Sequence, residues 1–143
     1  MSISSFYIST QEPLVDQQAG VFAAIGQSST NCLFCNIVSG IAPSRKIAEN
    51  DDVLIFESVR PRYPSHFLII PKKHIKDLKS AQLIDLEILG KLLMAAHALG
   101  TQLAAPQAFN IAINEGSQAG QTVFHLHLHF HSQSKLITNK PAI

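Results

Sequence analysis

The stretch His125-Leu126-His127-Leu128-His129-Phe130-His131 alternates imidazoles with large apolar side chains. Alternate residues on a strand share a face, so four imidazoles line one side and Leu126, Leu128 and Phe130 the other. A core strand does not give a whole face to histidine. Side chains that titrate near neutrality belong on a polar surface that does chemistry or binds a metal. The strand so read spans residues 122–131. Same-face neighbours lie about 6.6 Å apart, so three imidazoles cannot reach one atom equally. The middle one can face a phosphorus while its flanks reach the surrounding oxygens. Attack by an imidazole would give a phosphoramidate-type intermediate and split one hard displacement into two. Paired histidines chelating a catalytic zinc are the competing reading.

The residues just upstream favour phosphate. Residues 114–122, NEGSQAGQT, hold two glycines and several hydrogen-bond donors. A loop of that kind approaches an anion closely and presents main-chain N–H, amide and hydroxyl groups to it. Further out, residues 109–113 read as a strand, and residues 81–99 as one long amphipathic helix. In that helix Leu83, Leu86, Leu89, Leu92, Leu93 and Ala96 recur at three- and four-residue spacing, and Gly100 is the expected stop. Residues 67–70 form a buried strand ended by Pro71, after a loop with Pro61, Pro64 and Ser65. Residues 46–49 and 53–57 are strands joined by an Asn50-Asp51-Asp52 turn. Residues 31–39 make a short helix with a polar start, stopped by Gly40. Strands in hairpin order with one long helix predict an α+β fold on an antiparallel sheet.

The chain has 143 residues, 46% of them hydrophobic, a length at which one domain is the default. Its formal charge of +1 offers no global field for nucleic acid or an anionic membrane. Any hold on phosphate must be local. The first residues lack a signal-peptide pattern, and no apolar run approaches the roughly 20 residues that cross a bilayer. A cytoplasmic protein is expected. Residues 1–30 read as an N-terminal extension with a short apolar stretch at 20–25, and residues 31–143 as the domain. The two cysteines, Cys32 and Cys35, open the short helix. A redox pair, two free buried thiols and a Cys2His2 structural zinc are all compatible with that spacing. His97 reads as exposed or at the core edge.

The ordered segments CLFCNIVSG (32–40), SHFLIIPKKH (65–74) and NEGSQAGQTVFHLHLH (114–129) resemble the histidine triad (HIT) family, and its Hint-like branch most. The AGQTV piece is also similar to Fhit-like dinucleotide hydrolases. The resemblance implies a HIT-like sheet meander with one long helix and a short N-terminal helix, assembled as a homodimer whose sheets join edge to edge. It implies that His127 attacks the α-phosphorus of a purine nucleoside 5′-phosphoramidate or mixed anhydride, its ring oriented by the His125 carbonyl. His129 would hold phosphoryl oxygen or assist the leaving group, and His66 matches a further active-site histidine. Asn114, Gln121 and Thr122 would complete the phosphate cradle. Leu33, Phe34, Ile37 and Val59 fall where the family builds its slot for the base. Cys32, Cys35, His74 and His125 match the ligands of a structural zinc in metal-binding branches.

Two positions depart from the pattern. Ser58, after Glu57, stands where the family carries an Asp or Asn for the ribose hydroxyls, and serine lacks the reach for a two-point grip. The tail after His131 lacks the Trp-Pro-Pro-Gly ending of Hint-like proteins. Arg60 and Arg62 are solvated charges or contacts for a second phosphate or an acidic leaving group. Three rival readings stand beside the hydrolase: a dinucleoside polyphosphate hydrolase or nucleotidylyl transferase using the same nucleophile, a nucleotide-binding regulator with weak turnover, and a metallohydrolase with its metal on the ladder.

Overall fold

The structure, a computed structural model, describes residues 31–143; the extension at 1–30 and its apolar stretch at 20–25 lie outside them. Among the described residues five strands form one antiparallel sheet: β1 (Lys46–Glu49), β2 (Val53–Glu57), β3 (Ser65–Pro71), β4 (Asn110–Ala112) and β5 (Leu128–Ser132). Their order is β1-β2-β3-β5-β4, so the sheet departs from a sequential meander only in its last two strands. The β1–β2 turn is held by Asn50, whose Oδ1 accepts the N–H groups of Asp52 at 3.0 Å and Val53 at 2.9 Å.

Two helices cover the two faces of the sheet. Helix α2 (Leu86–Thr101) lays Leu92, Ala95, Ala96 and Leu99 against Val53, Ile55, Phe67, Ile69, Leu126, Leu128 and Phe130. Helix α1 (Leu33–Val38) puts Phe34 and Ile37 against Leu54, Phe56, Leu68 and Ile70 on the other face. Strand β2 is therefore apolar on both sides, with Val53, Leu54, Ile55 and Phe56 all buried.

Several boundaries differ from those read in the sequence, each for a physical reason. The strand expected over 122–131 begins only at Leu128. The last pair of the β3–β5 ladder is Ile69 with Leu128. Upstream of it the Leu126 N–H donates to the Ile75 carbonyl at 2.6 Å and the His125 ring donates to the Pro71 carbonyl, so residues 125–127 are held outside the ladder. The alternation survives without the ladder: Leu126 stays in the α2-side core, and His125 and His127 stay on the α1 side. The long helix starts at Leu86 rather than 81, because buried Asp85 accepts the Gln82 N–H at 2.9 Å and the Lys73 Nζ at 2.6 Å. That capping turns residues Leu83–Asp85 into a 3-10 turn. Gly100 does not stop the helix, which runs to Thr101. Instead it leaves room for Phe109, whose ring would meet a Cβ there at 2.2 Å. In α1 the cap is Cys32, not Asn31, and its sulfur accepts the Cys35 N–H.

Candidate active site

Strand pairing gathers the imidazoles. In the β3–β5 register His66 lies opposite His131 and Leu68 opposite His129, so these histidines share the sheet face that α1 partly covers. His127 and His129 follow at 5.0 Å between ring centroids, and His129 stands 5.8 Å from both His66 and His131. His66 and His131 meet edge-on at 4.4 Å. The result is a continuous row from His127 to the His66–His131 pair.

The polar surface expected from the ladder is only half realised. His125 is fully buried and His127 is 7% exposed, while His129 and His131 are half-buried. Phe34 of α1 covers the first two, its ring 5.1 Å from that of His127 and 5.3 Å from Phe56. Burial disfavours an extra positive charge and holds His127 below the ordinary imidazole range, against the pull of its own hydrogen bond. His129 is pushed down to about 4, by burial first and then by neighbouring His127, His66 and His131. His66 and His131 are lowered too, by burial above all, with Arg62 adding to both.

Tautomers follow from the partners. His127 Nδ1–H donates to the His125 carbonyl at 2.7 Å, which leaves Nε2 with the lone pair. The Arg62 main-chain N–H donates to His66 Nδ1 at 3.2 Å, which places the neutral ring's proton on Nε2. That Nε2–H faces His131 Nε2 at 3.2 Å and His129 Nδ1 at 3.5 Å.

His125 belongs to a second group. Its Nε2–H donates to the Pro71 carbonyl at 2.8 Å, and its Nδ1 lies 3.4 Å from Cys32 Sγ, 3.5 Å from Cys35 Sγ and 3.3 Å from His74 Nδ1. Cys35 Sγ and His74 Nδ1 are 3.2 Å apart. Tetrahedral zinc with ordinary bond lengths separates its ligand atoms by about 3.3–3.8 Å. The donor set fits that ion, and the Pro71 carbonyl fixes the tautomer that a ligand His125 needs. Burial, reinforced by Cys32, pushes the Cys35 thiol up to about 12; a cation between the sulfurs would reverse that effect.

The loop residues are placed less uniformly. Asn114 is half-buried beside Gly120, whose φ of +95° lets the loop close on the amide. Gln121 is buried, and its amide is given to the loop itself: Oε1 accepts the Gly116 N–H, and Nε2 donates to the Lys76 and Val123 carbonyls. It shapes the cradle rather than offering a free donor to it. Thr122 is exposed. Ser58 Oγ accepts the Arg60 N–H at 3.3 Å. Of the expected base slot, Phe34 and Ile37 are core, Leu33 is half exposed, and Val59 is 92% exposed. His97 lies on the exposed side of α2. Sequence reading gave no role to Phe56, which packs on Phe34, or to Tyr63, which stacks on His131 at 4.5 Å and 20°. Phe56 meets Phe34 through helix-on-sheet packing and Tyr63 reaches His131 from the loop before β3, contacts between residues distant in sequence that no local pattern reveals.

An antiparallel sheet with a helix on each face and a row of imidazoles along β5 and the adjoining β3 defines a class, and comparison with known proteins gives that class its name. The HIT domain profile matches residues 39–136, and the chain belongs to the HIT family. It is 33% identical to the adenylylsulfatase HINT1 of Arabidopsis thaliana over 131 residues, 90% of this chain and 89% of that protein. A HIT family hydrolase from Legionella pneumophila superposes with a TM-score of 0.68 at 35% identity, covering 76% of this chain and 96% of that one. A zinc-bound histidine triad family protein from Mycobacterium smegmatis superposes at 0.64 with 36% identity, covering 73% and 76%. No described helix is long and apolar enough to cross a membrane.

Proposed function

We propose that the chain is a nucleotide hydrolase that cleaves purine nucleoside 5′-phosphoramidates or mixed anhydrides through a nucleotidyl–His127 intermediate. One observation carries the reading: the His127 ring is buried, kept neutral and held by the His125 carbonyl at 2.7 Å, so that Nε2 is its nucleophilic nitrogen. In the first step the Nε2 lone pair forms a bond to the α-phosphorus. The bond to the leaving group breaks with its electron pair, and an amine leaving group also takes up a proton from solvent. As attack makes the ring cationic, the His125 carbonyl, already accepting from Nδ1–H, stabilises the charge. In the second step water attacks phosphorus and the P–Nε2 bond breaks with its electron pair returning to the ring, which restores neutral imidazole; the water's proton passes to solvent as the nucleoside monophosphate is freed. His129 and His66 hold the phosphoryl oxygens, and Asn114, Thr122 and the loop shaped by Gln121 flank them. Ser58 would meet the ribose, and Leu33 and Val59 would offer exposed apolar surface to the base.

Within the same reading Cys32, Cys35, His74 and His125 hold a structural zinc, which when bound ties α1 to the segment leading into β5. The distances above and the zinc-bound mycobacterial relative support it. The domain is residues 31–143, the protein is cytoplasmic, and two copies pair through β4. The test of the chemistry is release of nucleoside monophosphate from adenosine 5′-phosphoramidate. His127→Asn should lower kcat by several powers of ten while nucleotide binding persists. Equal turnover by both proteins would remove His127 as nucleophile and favour a binding protein instead.

A further inference from the structure

Past His127 the row of imidazoles closes into a triangle. His129 and His131 are same-face neighbours on β5, and His66 lies opposite His131 on β3. One nitrogen from each of these three rings lies within 4.8 Å of the other two. His66 Nε2 is 3.2 Å from His131 Nε2 and 3.5 Å from His129 Nδ1. Tyr63 sets the plane of the His131 ring, stacked on it at 4.5 Å, and borders His66 edge-on at 6.0 Å. With the Arg62 N–H on His66 Nδ1, the only ring proton aimed into the triangle is the one on His66 Nε2. Two lone pairs, on His131 and His129, converge on that single proton, and one N–H divided between two acceptors satisfies neither fully. A cation at the same point would take a lone pair from each of the three rings.

We propose that His66, His129 and His131 form a second metal site, which takes a divalent transition ion of the zinc class and inhibits the hydrolase when filled. It shares no ligand with the Cys32–Cys35–His74–His125 group. The two short separations lie close to the roughly 3.3–3.8 Å between ligand atoms of tetrahedral zinc. An all-imidazole donor set suits zinc, nickel or copper and not the oxygen-seeking magnesium or calcium. Three ligands from two neighbouring strands leave the fourth position open, unlike the four-ligand Cys/His group. Entry of the ion moves the His66 proton from Nε2 to Nδ1, so the Arg62 N–H gives up its bond and no proton leaves the ring. The inhibition rests on the hydrolase reading above, because ligation withdraws the His66 Nε2–H from the phosphoryl oxygens.

The test is a zinc titration of the full chain, followed through the histidine ring resonances of the wild type and of His131→Phe, which keeps a ring for Tyr63 to stack on. The first zinc taken up should move the His74 and His125 signals, and further zinc those of His66, His129 and His131. In His131→Phe the second set of shifts should need at least about tenfold more zinc, since loss of even an outer partner of a metal ligand costs that much in affinity. Release of nucleoside monophosphate from adenosine 5′-phosphoramidate should fall over the zinc range that moves the second set, and should resist that range in the variant. Signals of His66, His129 and His131 that stay put in the wild type, or that move at the same zinc concentration in the variant, would overturn the site. Turnover that holds or rises while those signals move would overturn the inhibition. If the wild type cleaves no phosphoramidate before zinc is added, the hydrolase reading fails instead, and the ring shifts alone decide the site.

Discussion

A histidine can be a nucleophile only if one nitrogen keeps its lone pair and the ring can bear the charge that follows. At His127 both conditions come from the main chain, because the His125 carbonyl takes the Nδ1 proton. The same crowding has a thermodynamic side at His129. Its folded pKa is about 4 against an ordinary 6.5, so between those values the unfolded chain takes up a proton that the folded chain refuses. Stability should therefore fall as pH drops from 6.5 towards 4, and this group's contribution should level off below that. Urea midpoints measured from pH 7 to 4.5 should decline more steeply for the wild type than for His129→Asn. Ligand protonation at the Cys/His cluster is common to both proteins, so parallel declines would show that His129 is not the group responsible. Much at this scale was legible in the sequence. The alternation of 125–131 assigned faces correctly, because side-chain direction depends only on an extended backbone. That His125 and His127 would be buried was not, because the ring that covers them, Phe34, is 91 and 93 residues away and reaches them only through the fold.

Elements whose limits are set by their own residues were read well, and those limited by a neighbour were not. Strands β1 and β2 ended where the Asn50 turn and apolar runs placed them, whereas β5 lost its first six expected residues, Leu126 being bonded to Ile75 beyond the end of β3 instead of to the ladder. Helix α2 shows both cases. Its apolar spacing was plain, but Gly100, read as a stop, serves a contact with Phe109, which in turn stacks on Phe130 at 4.8 Å. Gly100→Ala should then cost about 1–3 kcal/mol although alanine favours helix, since the ring must leave its stack to make room. A thermal melt at or above the wild-type midpoint would mean that Phe109 yields freely. Helix α1 has only six residues, too few to persist without tertiary support. Its support is Phe34 and Ile37 on the sheet together with the Cys32–Cys35–His74–His125 group. Chelator treatment is expected to lower the melting temperature by several degrees while leaving turnover of adenosine 5′-phosphoramidate largely intact during a brief exposure. Immediate loss of turnover at a temperature where the fold persists would assign the metal to the chemistry instead.

The two edges of the sheet are built differently, and the difference bears on assembly. Edge strand β1 carries Lys46 and Glu49, which pair with each other at 3.5 Å, and Lys72 adds a contact to Glu49 at 2.8 Å. Charges of this kind discourage pairing with another sheet. Edge strand β4 has none: it reads Asn110-Ile111-Ala112, exposed throughout, and is flanked by half-exposed Phe109 and Ile113. Helix α2 adds Leu86 and Leu93, seven residues apart on one side and each more than half exposed, and Met94 beside them. A second copy of the same surface would cover such an edge by continuing the sheet across a two-fold axis. The wild type should sediment at twice the 15.6 kDa chain mass, and Ile111→Lys should shift it to a single chain. A wild type of one chain mass would remove the dimer, and a variant that still pairs would move the interface away from β4. The histidine row lies one strand in from this edge, with Asn110 opposite His131 and Ala112 opposite His129. All the imidazoles it uses come from one chain. The monomeric variant should therefore keep His127-dependent turnover, with any loss appearing first in KM as the unbraced β4 loosens beside His129 and His131.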